Sequence, residues 1–147
     1  MSLNKQTLIV AAVSMLSTTP SFAGTEISIR SIAGKTLAQI EKVLGKPTAS
    51  TSVKPSRTPC PCDKLTYRNG QVEIVFMHDK SDWITINEVG GIAYAKEGLA
   101  AFGLPMASPS FIGTDSMRWE NLQGLREVTF NRAGNKLSYV YVRTKTK

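Results

Sequence analysis

The chain has 147 residues, 41% of them hydrophobic; residues 24–147, what is left after the leading 23, suit a single domain able to bury about two-thirds of its unfolded surface without a disulfide framework. Lys and Arg number 18 against 11 Asp and Glu, a formal charge of +7; a field of that sign favours anionic partners, yet it serves solubility equally well. A single histidine, with no Gly-rich phosphate loop, no H-E-x-x-H and no paired carboxylates, argues against an enzyme, and the absence of a basic stripe interleaved with stacking aromatics argues against nucleic acid.

Met1 to Ala23 reads as a secretory signal. Lys5 supplies the positive end, Thr7 to Leu16 the apolar run and Ser21-Phe22-Ala23 a small-x-small cleavage site. A mature chain beginning at Gly24, periplasmic or secreted, is therefore expected. The apolar run is ten residues long, too short for a bilayer that takes about 20, and no cysteine stands beside the cleavage site to carry a lipid. The expectation is a soluble exported protein without a transmembrane anchor.

Gly24 to Lys35 alternates Ile27, Ile29 and then Ile32 with polar residues, as a short leading strand or an arm would. Thr36 to Pro47, TLAQIEKVLGKP, carries helix punctuation at both ends. Thr36 and Gln39 have capping-box spacing, and Gly45 with Pro47 stops the helix because glycine takes the left-handed conformation and proline cannot continue the turn. Leu37, Ile40 and Leu44 share one helical face. Thr48 to Cys62 is rich in Ser, Thr and Pro and reads as a loop of about fifteen residues, a length that is often functional.

From Lys64 the period becomes two. Lys64–Arg68 and Gln71–Met77 flank Asn69-Gly70, the strongest short hairpin signal, and direct Val72, Ile74 and Phe76 to the core. In Trp83–Asn87, Ile84 and Ile86 take the core face and leave Trp83 and Thr85 opposite. Tyr94 to Pro105, YAKEGLAAFGLP, repeats the Gly-x-Pro ending as a second helix, with Ala95, Gly98 and Phe102 at the positions of Leu37, Ile40 and Leu44. Ser116–Glu120, Arg126–Asn131 and Lys136–Arg143 follow as strands.

The order helix, strand, strand, strand thus occurs twice, over about 32–89 and 92–143. Gly45 matches Gly103, Pro47 matches Pro105, Tyr67 matches Trp119, Phe76 matches Phe130, and Ile84 and Ile86 match Tyr139 and Tyr141. The fold class expected is α+β: tandem α-β-β-β repeats forming an antiparallel sheet of about six strands, with both helices on one face and the other face free. Interface anchors are commonly aromatics with a polar tip, which makes Trp83, Tyr67 and Trp119 the candidate partner-binding residues. Tyr139 and Tyr141, aligned with core positions, are expected to be buried.

The capped helix ending in Leu44-Gly45-Lys46-Pro47, followed by a loop, a Tyr-bearing strand, an Asn-Gly hairpin and an apolar strand, resembles the beta-lactamase-inhibitor-protein-like superfamily. That superfamily includes the SmpA/OmlA (BamE) domain of outer-membrane assembly. The resemblance covers roughly residues 32–142. It implies a non-catalytic module that presents a sheet or its loops to another protein. The chain lacks the lipid-attachment cysteine of the lipoprotein branch and has shorter units than the two-unit inhibitors, so it implies binding without identifying the target.

Cys60-Pro61-Cys62 carries the alternative. A bridge across one residue is strained and easily reduced, and Met77 with His78 would add soft ligands suited to Cu(I). Such a protein would be a periplasmic thiol-redox or Cu(I)-binding protein. Against it, Cys-x-Cys has neither a second ligand pair at zinc spacing nor the two-residue gap of redox motifs, so no cofactor or metal is expected and a structural pair is the simpler reading.

Overall fold

The computed structural model describes residues 27–55 and 61–145; the expected signal segment and Cys60 lie outside the described residues. Two short helices, α1 (Ile29–Ile32) and α2 (Leu37–Leu44), precede four strands: β1 (Ala49–Val53), β2 (Cys62–Tyr67), β3 (Val72–Met77) and β4 (Lys80–Ile86). A 3₁₀ segment, Lys96–Phe102, then leads into β5 (Phe111–Ile112), β6 (Ser116–Glu120), β7 (Glu127–Ala133) and β8 (Lys136–Arg143). Among the described residues no helix is long and apolar enough to cross a membrane.

All eight strands join one sheet in the order β1-β2-β3-β4-β8-β7-β6-β5, with every neighbouring pair antiparallel. The molecule is α+β, as expected, but the sheet has eight strands rather than about six. The two additional strands are the edges. β1 runs through the Ser/Thr-rich stretch expected to be loop, where nearly every side chain is exposed and hydrophobic alternation is therefore missing. β5 is only two residues long, too short to show a period.

The leading segment is a helical turn rather than a strand or arm, because Ile29 and Ile32, at i and i+3, both reach the core with no exposed surface. In α2 the capping box forms as its spacing predicts: the Gln39 amide donates to Thr36 Oγ1 at 3.4 Å and the Thr36 amide to Gln39 Oε1 at 3.0 Å. Gly45 closes the helix at φ 82°. Ile40 and Leu44 are buried, whereas Leu37 turns outward. The second expected helix is 3₁₀, and it buries Gly98, Leu99 and Phe102.

These helical residues and the inward residues of the strands form one continuous core that includes Tyr67, Ile74, Ile86, Trp119, Phe130 and Val142. Phe130 lies at its centre in the second half, edge-on to both Trp119 (4.9 Å) and Phe102 (5.7 Å). A buried polar knot ties the leading segment to the sheet. Ser81 Oγ donates to the Ile32 carbonyl and accepts from the Lys35 amide at 3.0 Å. Thr144 Oγ1 donates to the Ser81 carbonyl at 3.1 Å and lies 3.2 Å from Asp82 Oδ1.

Two irregularities set the pairing. Between β3 and β4 the register shifts at Val75/Phe76, and between β7 and β8 it shifts at Asn131/Arg132. Each skips one residue of the partner strand, Asp82 in the first case and Ser138 in the second. Phe76, expected in the core, is consequently only half-buried, while Val72 and Ile74 are fully buried.

Candidate functional site

The helical residues Ile29, Ile32, Ile40, Leu44, Leu99 and Phe102 pack with the inward strand residues in one core, which leaves the alternate strand residues on the opposite face of the sheet. Strand pairing places its side chains in rows. Glu73, Thr85, Tyr141, Thr129, Arg118 and Phe111 form one row from β3 to β5. Lys64, Val75, Trp83, Arg143 and Glu127 form the next.

Trp83 belongs to the second row, on β4 in the middle of the sheet. Its ring meets Tyr141 edge-on with centroids 6.2 Å apart, and the Arg143 guanidinium lies 4.7 Å above the indole, a cation–π arrangement. A groove of about 260 Å³ runs from this cluster to the end of β1, lined by Val53, Lys54, Pro55, Lys64, Glu73, Val75, Trp83, Thr85 and Tyr141. Lys64 and Glu73 neutralise each other across β2 and β3 at 2.8 Å. Lys54, in the wall of the groove, and Arg143, over the Trp83 ring, enter no ion pair among the described residues.

Trp83 Nε1 and Arg143 Nε are buried without a hydrogen-bond partner. The Tyr141 phenol is held above its ordinary pKa, chiefly by burial; Arg143 opposes the shift, and Glu127 and Asp82 add to it. The groove offers aromatic surface from Trp83 and Tyr141 together with Lys54, which has no ion-pair partner among the described residues.

Of the three aromatics expected at a partner surface, only Trp83 is on this face. Tyr67 and Trp119 are core residues, 0% and 1% exposed, because they pair with Val72 and Val128, whose side chains point inward. The polar tip of Trp119 is satisfied internally by the Ala107 carbonyl at 2.9 Å. The Tyr67 hydroxyl has no hydrogen-bond partner, and burial, with the Glu41 carboxylate adding, pushes its pKa up to about 12.

Tyr139 and Tyr141, expected in the core, belong to the outer face instead. Tyr139 is 40% exposed, while Val140 and Val142 between and beyond them are fully buried. The pairing of Thr85 with Tyr141 and of Ile84 with Val142 is what places them there. Arg143 and the Val53–Pro55 wall of the groove were not among the expected site residues; each comes to Trp83 through strand pairing that no local pattern encodes.

Cys62 is buried and held in a disulfide, and Cys60 lies outside the described residues. His78 and Asp79 form the two-residue turn between β3 and β4, both at positive φ (51° and 60°), which accounts for them as turn residues. No group of three His, Cys, Asp or Glu side chains among the described residues is placed to hold a metal ion. Compared with family models, curated proteins and solved structures, the chain matches none.

Proposed function

We propose that this chain is an exported, non-enzymatic binding module that recognises a protein or other cell-envelope component through the outer face of its sheet, centred on Trp83. The observation that carries the reading is Trp83 itself: an indole stacked under Arg143 and beside Tyr141, on the side of the sheet away from the helices. Aromatic and arginine side chains dominate the energetics of protein interfaces. The export signal at Met1–Ala23 and the resemblance to the beta-lactamase-inhibitor-protein-like superfamily point the same way.

The proposal includes a duplicated origin. Val72, Ile74, Ile84 and Ile86 have counterparts in Val128, Phe130, Val140 and Val142, each 56 positions later, with the same pairings between them. The two register shifts, at Val75/Phe76 and Asn131/Arg132, keep that spacing too. Both halves run inward from a sheet edge and meet at β4 and β8, as two copies related by a twofold axis would. Such a merger leaves one long, continuous face for a partner.

The test is recovery of the partner from an envelope extract on immobilised mature domain, comparing wild type with Trp83→Ala. A central aromatic anchor is worth about 2 kcal/mol or more, about thirtyfold in affinity, so recovery by the variant should fall sharply while its thermal unfolding remains cooperative. Equal recovery by a folded Trp83→Ala would remove the outer face from consideration.

A further inference from the structure

The outer edge of β1 is open among the described residues. β1 is the first strand of the sheet, so one side of Ala49–Val53 pairs with β2 and the other pairs with no described residue. An open edge exposes a row of N–H and C=O groups, and natural sheets blunt it by shortness, charge, proline or a bulge. The opposite edge, β5, is blunted by its two-residue length. Within β1 itself there is no charge, proline or bulge: the strand is five residues long, reads Ala-Ser-Thr-Ser-Val, pairs with β2 in unbroken register and exposes its first four residues, with Lys46-Pro47 and Lys54-Pro55 lying outside its two ends.

Charge frames this strand. Lys46 and Lys54 stand beyond its two ends, both exposed and neither in an ion pair among the described residues. That arrangement speaks against a second copy as the occupant. Antiparallel pairing of β1 with another β1 about Ser50 would set Lys46 of each chain opposite Lys54 of the other, and like charges directly opposed destabilise a strand pair. An extended segment with carboxylates at its ends would meet the same two lysines favourably.

We propose that β1 accepts, as a ninth strand, an extended peptide segment of a partner protein, uncharged in its middle and acidic at its ends. Backbone pairing to Ala49–Val53 supplies the attachment, and the flanking lysines select the charge. This surface is the hydrogen-bonding edge of β1; it shares Lys54 with the groove beside Trp83 but takes its attachment from the β1 backbone and not from the indole.

The probe is the acetylated, amidated peptide Asp-Glu-Thr-Val-Thr-Val-Thr-Glu-Asp, titrated calorimetrically into the mature protein alongside a version with lysine in place of every acid. Expected is saturable 1:1 binding of the acidic peptide alone. In a Lys46→Glu, Lys54→Glu variant the acidic peptide should weaken at least about tenfold and the lysine version should gain affinity, a reversal that a misfolded variant would not show. N-methylation of the three threonines or, separately, of the two valines should abolish binding in one case and spare it in the other, because only alternate N–H groups of an added strand face its neighbour. Trp83→Ala should bind the peptide as wild type does.

No binding, equal affinity for the two peptides, or indifference to both methylation patterns would overturn the proposal. So would loss of binding in Trp83→Ala, which would move the peptide to the sheet face. A dimer in sedimentation equilibrium that occupies β1 would overturn it in favour of a second copy.

Discussion

At Tyr67 a phenol is fully buried with no hydrogen-bond partner. An unsatisfied buried hydroxyl is a net cost, whereas the ring around it contributes packing, so the two can be separated by Tyr67→Phe. The variant should be more stable than wild type by about 1 kcal/mol at neutral pH. The alkaline limb tests the same group independently. Its pKa is raised from 10.0 to about 12, so the folded state holds the phenolic proton more tightly than the unfolded chain does. The associated stability is present in full below pH 10 and is lost as pH rises towards 12; a difference of that size amounts to on the order of 3 kcal/mol. Urea unfolding from pH 7 to 11.5 should show wild type losing stability more steeply than Tyr67→Phe, other titrating groups being common to both. A variant less stable at pH 7 would show that the hydroxyl has a partner after all, and an unchanged alkaline slope would show that folding does not raise its pKa. Trp119 is the contrast: its indole N–H is bonded to Ala107, and it gains nothing from being replaced.

The 3₁₀ segment Lys96–Phe102 sets intrinsic preference against packing. Alanine is favoured over glycine in a helix by roughly 1 kcal/mol, so by propensity alone Gly98→Ala should stabilise. A Cβ at Gly98 would lie 2.6 Å from the Ala93 carbonyl oxygen and 3.1 Å from the Phe130 ring. The nearer obstacle is backbone and cannot swing away, so overpacking of about 1–3 kcal/mol should win. Gly98→Ala is expected to lower the urea midpoint with an unchanged slope; a higher midpoint would mean that the segment can shift to make room. The same segment marks how far element-level reading went. Its existence, its Gly-Leu-Pro ending and the burial of Phe102 were legible because they follow from periodicity and punctuation. Its 3₁₀ form was not, since the close packing of Gly98 against the Ala93 carbonyl and the Phe130 ring is tertiary and leaves no local pattern.

The faces of the strands divide in the same way. Trp83 opposite Ile84 followed from alternation within one strand. Tyr139 and Tyr141 were misplaced because matching them to Ile84 and Ile86 aligns the halves one residue out of step, and a one-residue slip exchanges the faces of a strand. The observed partners of β4, Val142 beside Ile84 and Val140 beside Ile86, restore the phase. The groove was hidden for a related reason: Val53 and Trp83 are three strands apart in the sheet, and β1 carries no hydrophobic pattern to reveal it as a strand.

For the molecule as a whole, the junction of β4 with β8 joins the two halves. Ile84 and Ile86 of one half lie beside Val142 and Val140 of the other, and the Ser81–Thr144 bond crosses the same seam. Gly103 packs against Ser28 so closely that a Cβ there would lie 2.9 Å from Ser28 Oγ, a second crossing on the helical side. A half alone would expose an apolar strand edge and part of the shared core, and four strands with short helices bury too little surface to offset chain entropy. Fragments 24–89 and 90–147 should therefore each lack a cooperative urea transition as monomers. Mixed, they should form a 1:1 complex with the near-ultraviolet circular dichroism of the intact chain, which Trp83 and Trp119 report from opposite halves. The proposed duplication adds a competitor: antiparallel pairing of β4 with another β4 about Thr85 would set Ile84 beside Ile86, much as β8 sets Val142 there. The two halves are no longer equivalent at the knot, however. Ser81 binds the α1–α2 connection, whereas its counterpart Leu137 is an apolar core residue, and Thr144 is supplied by the second half alone. The mixed complex should therefore form in preference to homodimers of 24–89, measured by sedimentation of an equimolar mixture. A fragment that unfolds cooperatively as a monomer would show that the seam is an interface between independent units and not the middle of one core.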